Sequence, residues 1–129
     1  MAELPTGYSL DEAIDVAAAH AYLARSYWSP NIPFATVAKA LANSLSVAVR
    51  KDGEQVALAR VVTDRATFAY LADVYVLEEH RWQGLARAMV AWLQDHPELA
   101  VAAADVEHPA ARRDVARDHR EVGAQLAHP

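Results

Sequence analysis

The segment Arg81–Arg87 combines two arginines with small residues at a spacing that suits the binding of an anion. The helical pattern that follows would expose unpaired N–H groups and a partial positive charge at its first turn. Gly84 leaves those amides open to a ligand, and Ala86 adds only the next smallest side chain. Arg81 and Arg87 flank the turn and can donate charge-assisted hydrogen bonds. The segment therefore predicts a phosphate-binding turn.

A strand before this turn and a helix after it must position its residues. The strand pattern, Thr67–Leu77, is nearly continuously apolar apart from Asp73, which is typical of a strand covered on both faces. The helix pattern runs from Leu85 to Asp95, and Pro97 ends it. The turn would thus join the end of a buried strand to the start of a helix.

The rest of the chain has helical patterns first and strand patterns afterwards. In chain order the sequence predicts a helix at Asp11–Arg25 capped by Ser9 or Asp11, a loop at Ser26–Pro33, a helix at Phe34–Asn43, strands at Leu45–Arg50 and Val56–Thr63 joined by a turn at Lys51–Glu54, a strand at Leu99–Ala103, and a weak helix at Ala110–Leu126. This order indicates one α/β domain, with a core over residues 1–97 and a divergent tail over residues 98–129.

Composition excludes several classes of protein. The formal net charge of −5 disfavours nucleic acid as a partner. The absence of cysteine excludes disulfides, thiolate metal sites and cysteine nucleophiles. The sequence contains neither a signal-peptide pattern nor an apolar run near the roughly 20 residues that cross a bilayer, so we expect a cytoplasmic protein without a membrane partner. No histidine pair has the helical spacing of a zinc site, and no serine lies in a Gly-x-Ser-x-Gly elbow.

The turn resembles the Arg/Gln-x-x-Gly-x-Gly/Ala motif of the GNAT acetyltransferases, in the form Arg81-Trp82-Gln83-Gly84-Leu85-Ala86. The resemblance covers roughly Tyr8–Pro97, which follows the family's order of a short strand, two helices, three antiparallel strands, the turn and its helix. The stretches Ala59–Asp64 and Leu71–Leu77 look like the core of small bacterial members. Trp82 departs from the small or basic residues that are commoner at its position. The resemblance implies a GNAT-like mixed, mostly antiparallel sheet with helices on both faces.

The resemblance also implies acetyl-CoA as the acyl donor and no metal. Backbone amides of Gln83–Arg87 would bind the pyrophosphate, and the backbone of Tyr75–Leu77 would pair with the pantetheine as an added strand. The acceptor, a primary amine of a small molecule or peptide, would enter beside the N-terminal helices, where Tyr27 and Trp28 are expected to contact it. The expected cofactor-binding residues are Tyr75, Val76, Leu77, Arg81, Trp82, Gln83, Gly84, Leu85, Ala86 and Arg87.

The implied reaction is the attack of an amine on a thioester carbonyl. The amine must lose a proton, and strand amides would stabilise the developing oxyanion. Asp73 is the first candidate for the base or amine anchor, with an outward-facing or bend-capping carboxylate as the alternative. Tyr75 is a second catalytic candidate, and Tyr70 is a third on the same grounds. A tyrosine in a strand is, however, more often a packing residue.

The C-terminal part departs from the family pattern. Many members carry a tyrosine beyond the fifth strand that protonates the leaving thiolate, yet no Phe, Trp or Tyr follows Trp92, and no strand-like run follows Ala103. The chain is therefore a minimal acetyltransferase, a coenzyme-binding or protein-interaction module with impaired catalysis, or a chain whose segment beyond Pro97 is a reading-frame product. A fifth strand left as an open edge would favour a homodimer.

Overall fold

A computed structural model describes residues 4–99 of the protein. Its elements, in chain order, are β1 (Tyr8–Asp11), α1 (Val16–Leu23), α2 (Phe34–Ala42), β2 (Leu45–Lys51), β3 (Glu54–Thr63), β4 (Ala69–Val76), a short 3₁₀ helix (Glu78–His80) and α3 (Leu85–Gln94). This is the α/β architecture that the alternation of helical and strand patterns predicts. Among residues 4–99, no helix has both the length and the apolar character needed to cross a membrane.

The described strands form one antiparallel sheet in the order β1-β2-β3-β4. The β2–β3 hairpin turns at the predicted place, where Lys51 pairs with Glu54. Asp52 and Gly53 occupy the two turn positions with φ angles of 53° and 83°. Two consecutive left-handed residues match the twist of the flanking strands, which is why an Asp-Gly pair favours this turn.

The sheet has one helix on one face and two on the other. Apolar side chains on the α3 face include Val74 and Val76, whereas Leu58 and Tyr75 point to the face covered by α1 and α2. Successive residues of β4 therefore enter different cores, since side chains alternate across a strand. The arrangement explains why the sequence of β4 is nearly continuously apolar, and it confirms the predicted α/β fold with a mostly antiparallel sheet and helices on both faces.

The first helix begins later than predicted, at Val16. Asp11 is not a helix cap, because it lies in β1, where its backbone pairs with Ala48 of β2, and its carboxylate accepts a hydrogen bond from Nε of Arg50 at 2.9 Å. Asp15 is the cap instead, and its side chain accepts the N–H of Ala18 at 3.1 Å. The correction follows from a contact between residues 39 apart, which helical spacing does not reveal.

Several expectations concern residues that the structure does not describe. The weak helix at Ala110–Leu126, the missing closing strands and most of the strand at Leu99–Ala103 lie outside residues 4–99. Leu99 itself is buried in the α3 core, and its N–H donates to the carbonyl of His96 at 3.0 Å, a helical rather than a strand contact.

Candidate active site

At the end of β4, Val76 has backbone N–H and C=O groups that point away from β3. Leu77 donates its N–H to the carbonyl of Val56 at 2.9 Å. Because antiparallel strands bond through alternate residues, Tyr75 also faces β3 with its backbone groups, while Val76 faces the opposite direction. Of the predicted pantetheine-pairing residues, Val76 is thus the one placed to pair with an added chain.

The turn after β4 brings the start of α3 to the same place. Gly84 caps α3 with φ 80°, and the N–H of Ala88 closes the first helical turn onto the carbonyl of Gly84 at 3.0 Å. The N–H groups of Leu85, Ala86 and Arg87 therefore have no intrahelical acceptor. A Cβ placed on Gly84 would meet nothing within 4 Å, so the space beside these amides is open. The turn has the donors and the clearance that a phosphate group requires.

Arg81 is anchored to the protein rather than extended over the turn. Its Nε donates to the carbonyl of Val76 at 2.9 Å, and its Nη2 donates to the hydroxyl of Tyr22 at 3.3 Å. The side chain links the end of β4 to α1 and fixes where the turn begins. Arg87, on the first turn of α3, is exposed and is the flanking arginine available to add charge to the amide site.

Gln83 fixes the other side of the turn through β1. Its Nε2 donates to the hydroxyl of Tyr8 at 3.0 Å, and the same hydroxyl lies 2.9 Å from Nδ1 of His80. Between the two anchored residues, Trp82 has φ 66° and a side chain that is 80% exposed. Left-handed backbone costs a non-glycine residue about 1–2 kcal/mol. The flanking hydrogen bonds hold the turn in this conformation.

Asp73 is buried on the α1–α2 face and has both carboxylate oxygens occupied. Oδ2 pairs with Nε of Arg60 at 2.7 Å, and Oδ1 accepts the indole N–H of Trp28 at 3.0 Å. Nη1 of Arg60 in turn donates to Ser44 at 3.0 Å. Neither the outward-facing nor the bend-capping alternative for Asp73 describes this arrangement. The geometry instead gives Asp73 a role in fixing Trp28.

Tyr75 is enclosed in the same layer, with 1% of its surface exposed. Its ring stacks on Tyr22 with centroids 3.9 Å apart and planes 7° from parallel. Burial raises the pKa of the Tyr75 phenol, against a smaller opposing effect of the Gln55 side chain. The hydroxyl therefore stays protonated at neutral pH, and its surroundings favour a packing role.

The described part of the chain contains no cluster of three or more His, Asp or Glu side chains that would hold a metal ion. The candidate site consists of open backbone amides, a strand edge and nearby side chains. The sequence model of the acetyltransferase (GNAT) family matches residues 12–113, which include all of these features. The chain belongs to the GNAT acetyltransferase family.

Individual relatives agree with this assignment. A crystal structure of a GNAT-family protein from Xanthomonas campestris pv. campestris is 39% identical, with a TM-score of 0.70 over 75% of this chain and 70% of that one. The Escherichia coli ribosomal-protein-S18-alanine N-acetyltransferase has the same fold at 24% identity, with a TM-score of 0.56 over 68% of this chain and 57% of that one. A Gibberella zeae protein named as an acetyltransferase is 47% identical over 45 residues, which are 35% of this chain and 25% of that protein.

In this GNAT chain, the loop after α1 carries the two predicted acceptor-binding aromatics. Ser26 is buried, and its hydroxyl donates to the carbonyl of Leu23 at 2.7 Å and accepts the N–H of Ser29 at 3.1 Å. These two hydrogen bonds fix the segment that contains Tyr27 and Trp28, whose ring centroids are 5.3 Å apart. The loop is therefore structured at the point where recognition is expected.

A groove of 490 Å³ lies between this loop and the end of β4. Its lining residues are Tyr22, Arg25, Ser26, Tyr27, Trp28, Leu77, Glu78, Glu79 and Arg81. The groove joins both predicted aromatics to Arg81 of the amide turn. Glu78 and Glu79 are exposed, and neither is among the site residues that the sequence predicts. Their position directly before the turn is the signal that indicates they lie near it.

A second, smaller cavity of 160 Å³ lies between residues of α1, α2, β3 and β4. Its lining is mainly apolar and includes Asp73, Arg60 and Tyr70. The hydrogen bond from Trp28 to Asp73 thus connects a residue of the groove to a residue of this inner cavity. Tyr70 is placed at the inner cavity and does not line the groove.

Proposed function

We propose that this GNAT protein transfers an acetyl group from acetyl-CoA to a primary amine of a small molecule or peptide. The observation that carries the proposal is the open amide turn at the start of α3, which directly adjoins the outward-facing backbone of Val76 and the groove. The family's acetyl transfer agrees with this arrangement, and the name of the Escherichia coli relative gives an alanine amine as its acceptor.

Acetyl-CoA fits the residues that are present. The amides of Gln83–Arg87 would hold its pyrophosphate, with added charge from the Arg87 side chain. The N–H of Val76 would pair with the pantetheine, as in recognition at a strand edge. Tyr75 and Leu77 would support this contact by keeping Val76 in register with β3. Arg81 would act by fixing the turn.

When bound, acetyl-CoA supplies an acyl carbon activated as a thioester, so that a C–N bond forms as the C–S bond breaks, the amine loses a proton and the thiol gains one. Glu78 and Glu79 are exposed carboxylates of the groove and would attract the protonated amine and accept its proton, directly or through water. Asp73 and Tyr75 stay predicted catalytic residues. Their contacts support positioning roles, in which Asp73 orients Trp28 and Tyr75 supports Tyr22.

An impaired coenzyme-binding or protein-interaction module is the second candidate. Its supporting observation is that no tyrosine follows Tyr75 in the sequence, whereas many members of the family use a tyrosine beyond the fifth strand to protonate the leaving thiolate. The two candidates differ in turnover, since only the transferase releases free thiol from acetyl-CoA when an amine is present.

Release of free thiol from acetyl-CoA, measured across a panel of amines, tests the proposal. We expect release that depends on both the protein and the amine. Acetyl-CoA binding without amine-dependent release would contradict the transferase proposal and support the impaired module.

A further inference from the structure

Four charged side chains line the groove. Their net charge is zero, yet they form no ion pairs with one another. Arg25 and Arg81 contribute two positive charges, and Glu78 and Glu79 contribute two negative charges. Within residues 4–99, the ion pairs all lie elsewhere, at Arg50–Asp11, Arg60–Asp73 and Arg65–Glu98. The groove therefore keeps separated charges of both signs next to its aromatic wall, which consists of Tyr22, Tyr27 and Trp28.

The two arginines are not equally available to a ligand. Arg81 is held by Val76 and Tyr22 through its Nε and Nη2 atoms. Arg25 is exposed, its Nε donates to the carbonyl of Ala21 at 3.2 Å, and its guanidinium carbon lies 5.1 Å from the ring centre of Tyr22. The terminal nitrogens of Arg25 have no hydrogen-bond or ion-pair partner in the described part of the chain. Arg25 is thus fixed in place with two donor groups left over.

The acidic residues come from a different element. Glu78 and Glu79 lie on the 3₁₀ helix that follows β4, whereas Arg25 follows the C-terminal end of α1. Arg25 and the two glutamates lie on separate elements and do not pair across the groove. A ligand with a single charge would therefore pair with the arginine or with the glutamates, and the other group would stay unpaired. A ligand that carries both signs would satisfy the two sets together.

We propose that the acetyl acceptor is an amino acid with an aromatic or large apolar side chain. Its carboxylate would accept paired hydrogen bonds from the terminal nitrogens of Arg25. Its ammonium would lie against Glu78 and Glu79, and its side chain would contact the aromatic wall, of which Tyr27 is 73% exposed. This inference rests on the proposed function and adds the substrate class to it.

The size of the groove agrees with this class. A volume of 490 Å³ lies within the range of about 300–1,000 Å³ that is usual for small-molecule sites. The lining combines three aromatic rings with four charged side chains, so it is more polar than the mainly apolar lining that is usual for small-molecule sites.

Matched substrate pairs test the proposal. Phenylalanine with phenethylamine, and tryptophan with tryptamine, differ within each pair only by the carboxylate. We expect kcat/KM for acetyl transfer to be at least about tenfold higher for the amino acid of each pair, as a charge-assisted bond to Arg25 would give. A ratio near one, or a preference for the decarboxylated amine, would overturn the proposal.

Two substitutions of Arg25 test whether this residue causes the preference for the amino acid over the decarboxylated amine. We expect Arg25→Gln to bring the ratio within each pair toward one, and Arg25→Lys to keep part of the preference because it keeps the charge. Arg65→Gln is the matched control, since Arg65 lies at the β3–β4 turn outside the groove and should keep the wild-type ratio. Comparing ratios between variants cancels the difference in amine basicity. A wild-type ratio in Arg25→Gln would refute the assignment.

Binding measurements separate failure of this inference from failure of the transferase proposal. The same pairs are titrated calorimetrically into protein saturated with free CoA, where no transfer occurs. Tighter binding of the amino acid in wild type than in Arg25→Gln would support the inference even in the absence of turnover. Equal transfer to both members of each pair would leave the transferase proposal intact and reject the amino-acid class.

Discussion

Asp73 shows how a site residue is defined by contacts distant in sequence. Its carboxylate joins Arg60, 13 residues away, to Trp28, 45 residues away, and its side chain is 7% exposed. A strand pattern identifies Asp73 as an embedded acid but contains no information about these two partners. Sequence reasoning could therefore find the residue and not its role.

We predict that Asp73→Asn lowers the free energy of unfolding by about 2 kcal/mol, because it leaves the partly buried guanidinium of Arg60 without its counter-charge. Urea denaturation measures this change. Asp11→Asn is the matched control: it removes the carboxylate from a more exposed pair with Arg50 and should cost much less. Equal effects of the two substitutions would show that burial does not set the importance of Asp73.

We predict that Tyr8→Phe weakens acetyl-CoA binding by about fivefold, the equivalent of one hydrogen bond of about 1 kcal/mol. The substitution removes the hydroxyl that holds both Gln83 and His80, so the turn is less fixed before the ligand arrives. Calorimetric titration gives the affinity. Unchanged affinity would show that the turn keeps its conformation without β1.

At the scale of elements, the sequence predicts most of the order correctly because the decisive signals are local. Alternation in β2, the Asp-Gly turn after it and the glycine before α3 each act within a few residues. The start of β4 at Ala69 differs from the predicted start because Asp64 accepts the amides of Thr67 and Phe68. Those residues belong to the β3–β4 turn, although their side chains are typical of strands.

The β3–β4 turn predicts a dependence of stability on pH. Hydrogen bonds from the Thr67 hydroxyl and amide and from the Ala66 amide hold the pKa of Asp64 well below its ordinary value of 3.8. The folded state thus binds the proton less readily than the unfolded state. The contribution of Asp64 is complete above the unfolded pKa and is lost as the pH falls below about 4.

We therefore expect the free energy of unfolding to fall as the pH drops from about 5 to about 2, and to fall less steeply in Asp64→Asn. Thr67→Val, which removes only the hydroxyl donor, should give an intermediate slope. Denaturant unfolding at a series of pH values measures these slopes. The same slope in wild type and Asp64→Asn would exclude this turn as the source.

For the whole molecule, the homodimer stays a prediction. The prediction rests on a fifth strand left as an open edge, and most of the predicted strand at Leu99–Ala103 lies outside residues 4–99. An open strand edge favours pairing with another chain. We expect light scattering after size-exclusion chromatography to give the mass of a dimer, and a clean monomer at high concentration would contradict this.

The central claim is that the amides at the start of α3 bind the pyrophosphate of acetyl-CoA. Two glycines allow a matched test, because Gly84 and Gly53 have φ angles of 80° and 83° and a Cβ on either would meet nothing within 4 Å. Glutamate at either position imposes similar backbone strain. Only Gly84→Glu places a carboxylate beside the amide turn.

The most direct measurement is calorimetric titration of acetyl-CoA into the wild type, Gly84→Glu and Gly53→Glu. We predict saturable binding by the wild type and Gly53→Glu, and binding at least about 100-fold weaker by Gly84→Glu, since juxtaposed like charges cost several kcal/mol. Wild-type affinity in Gly84→Glu, or no binding by the wild type, would contradict the assignment of the turn.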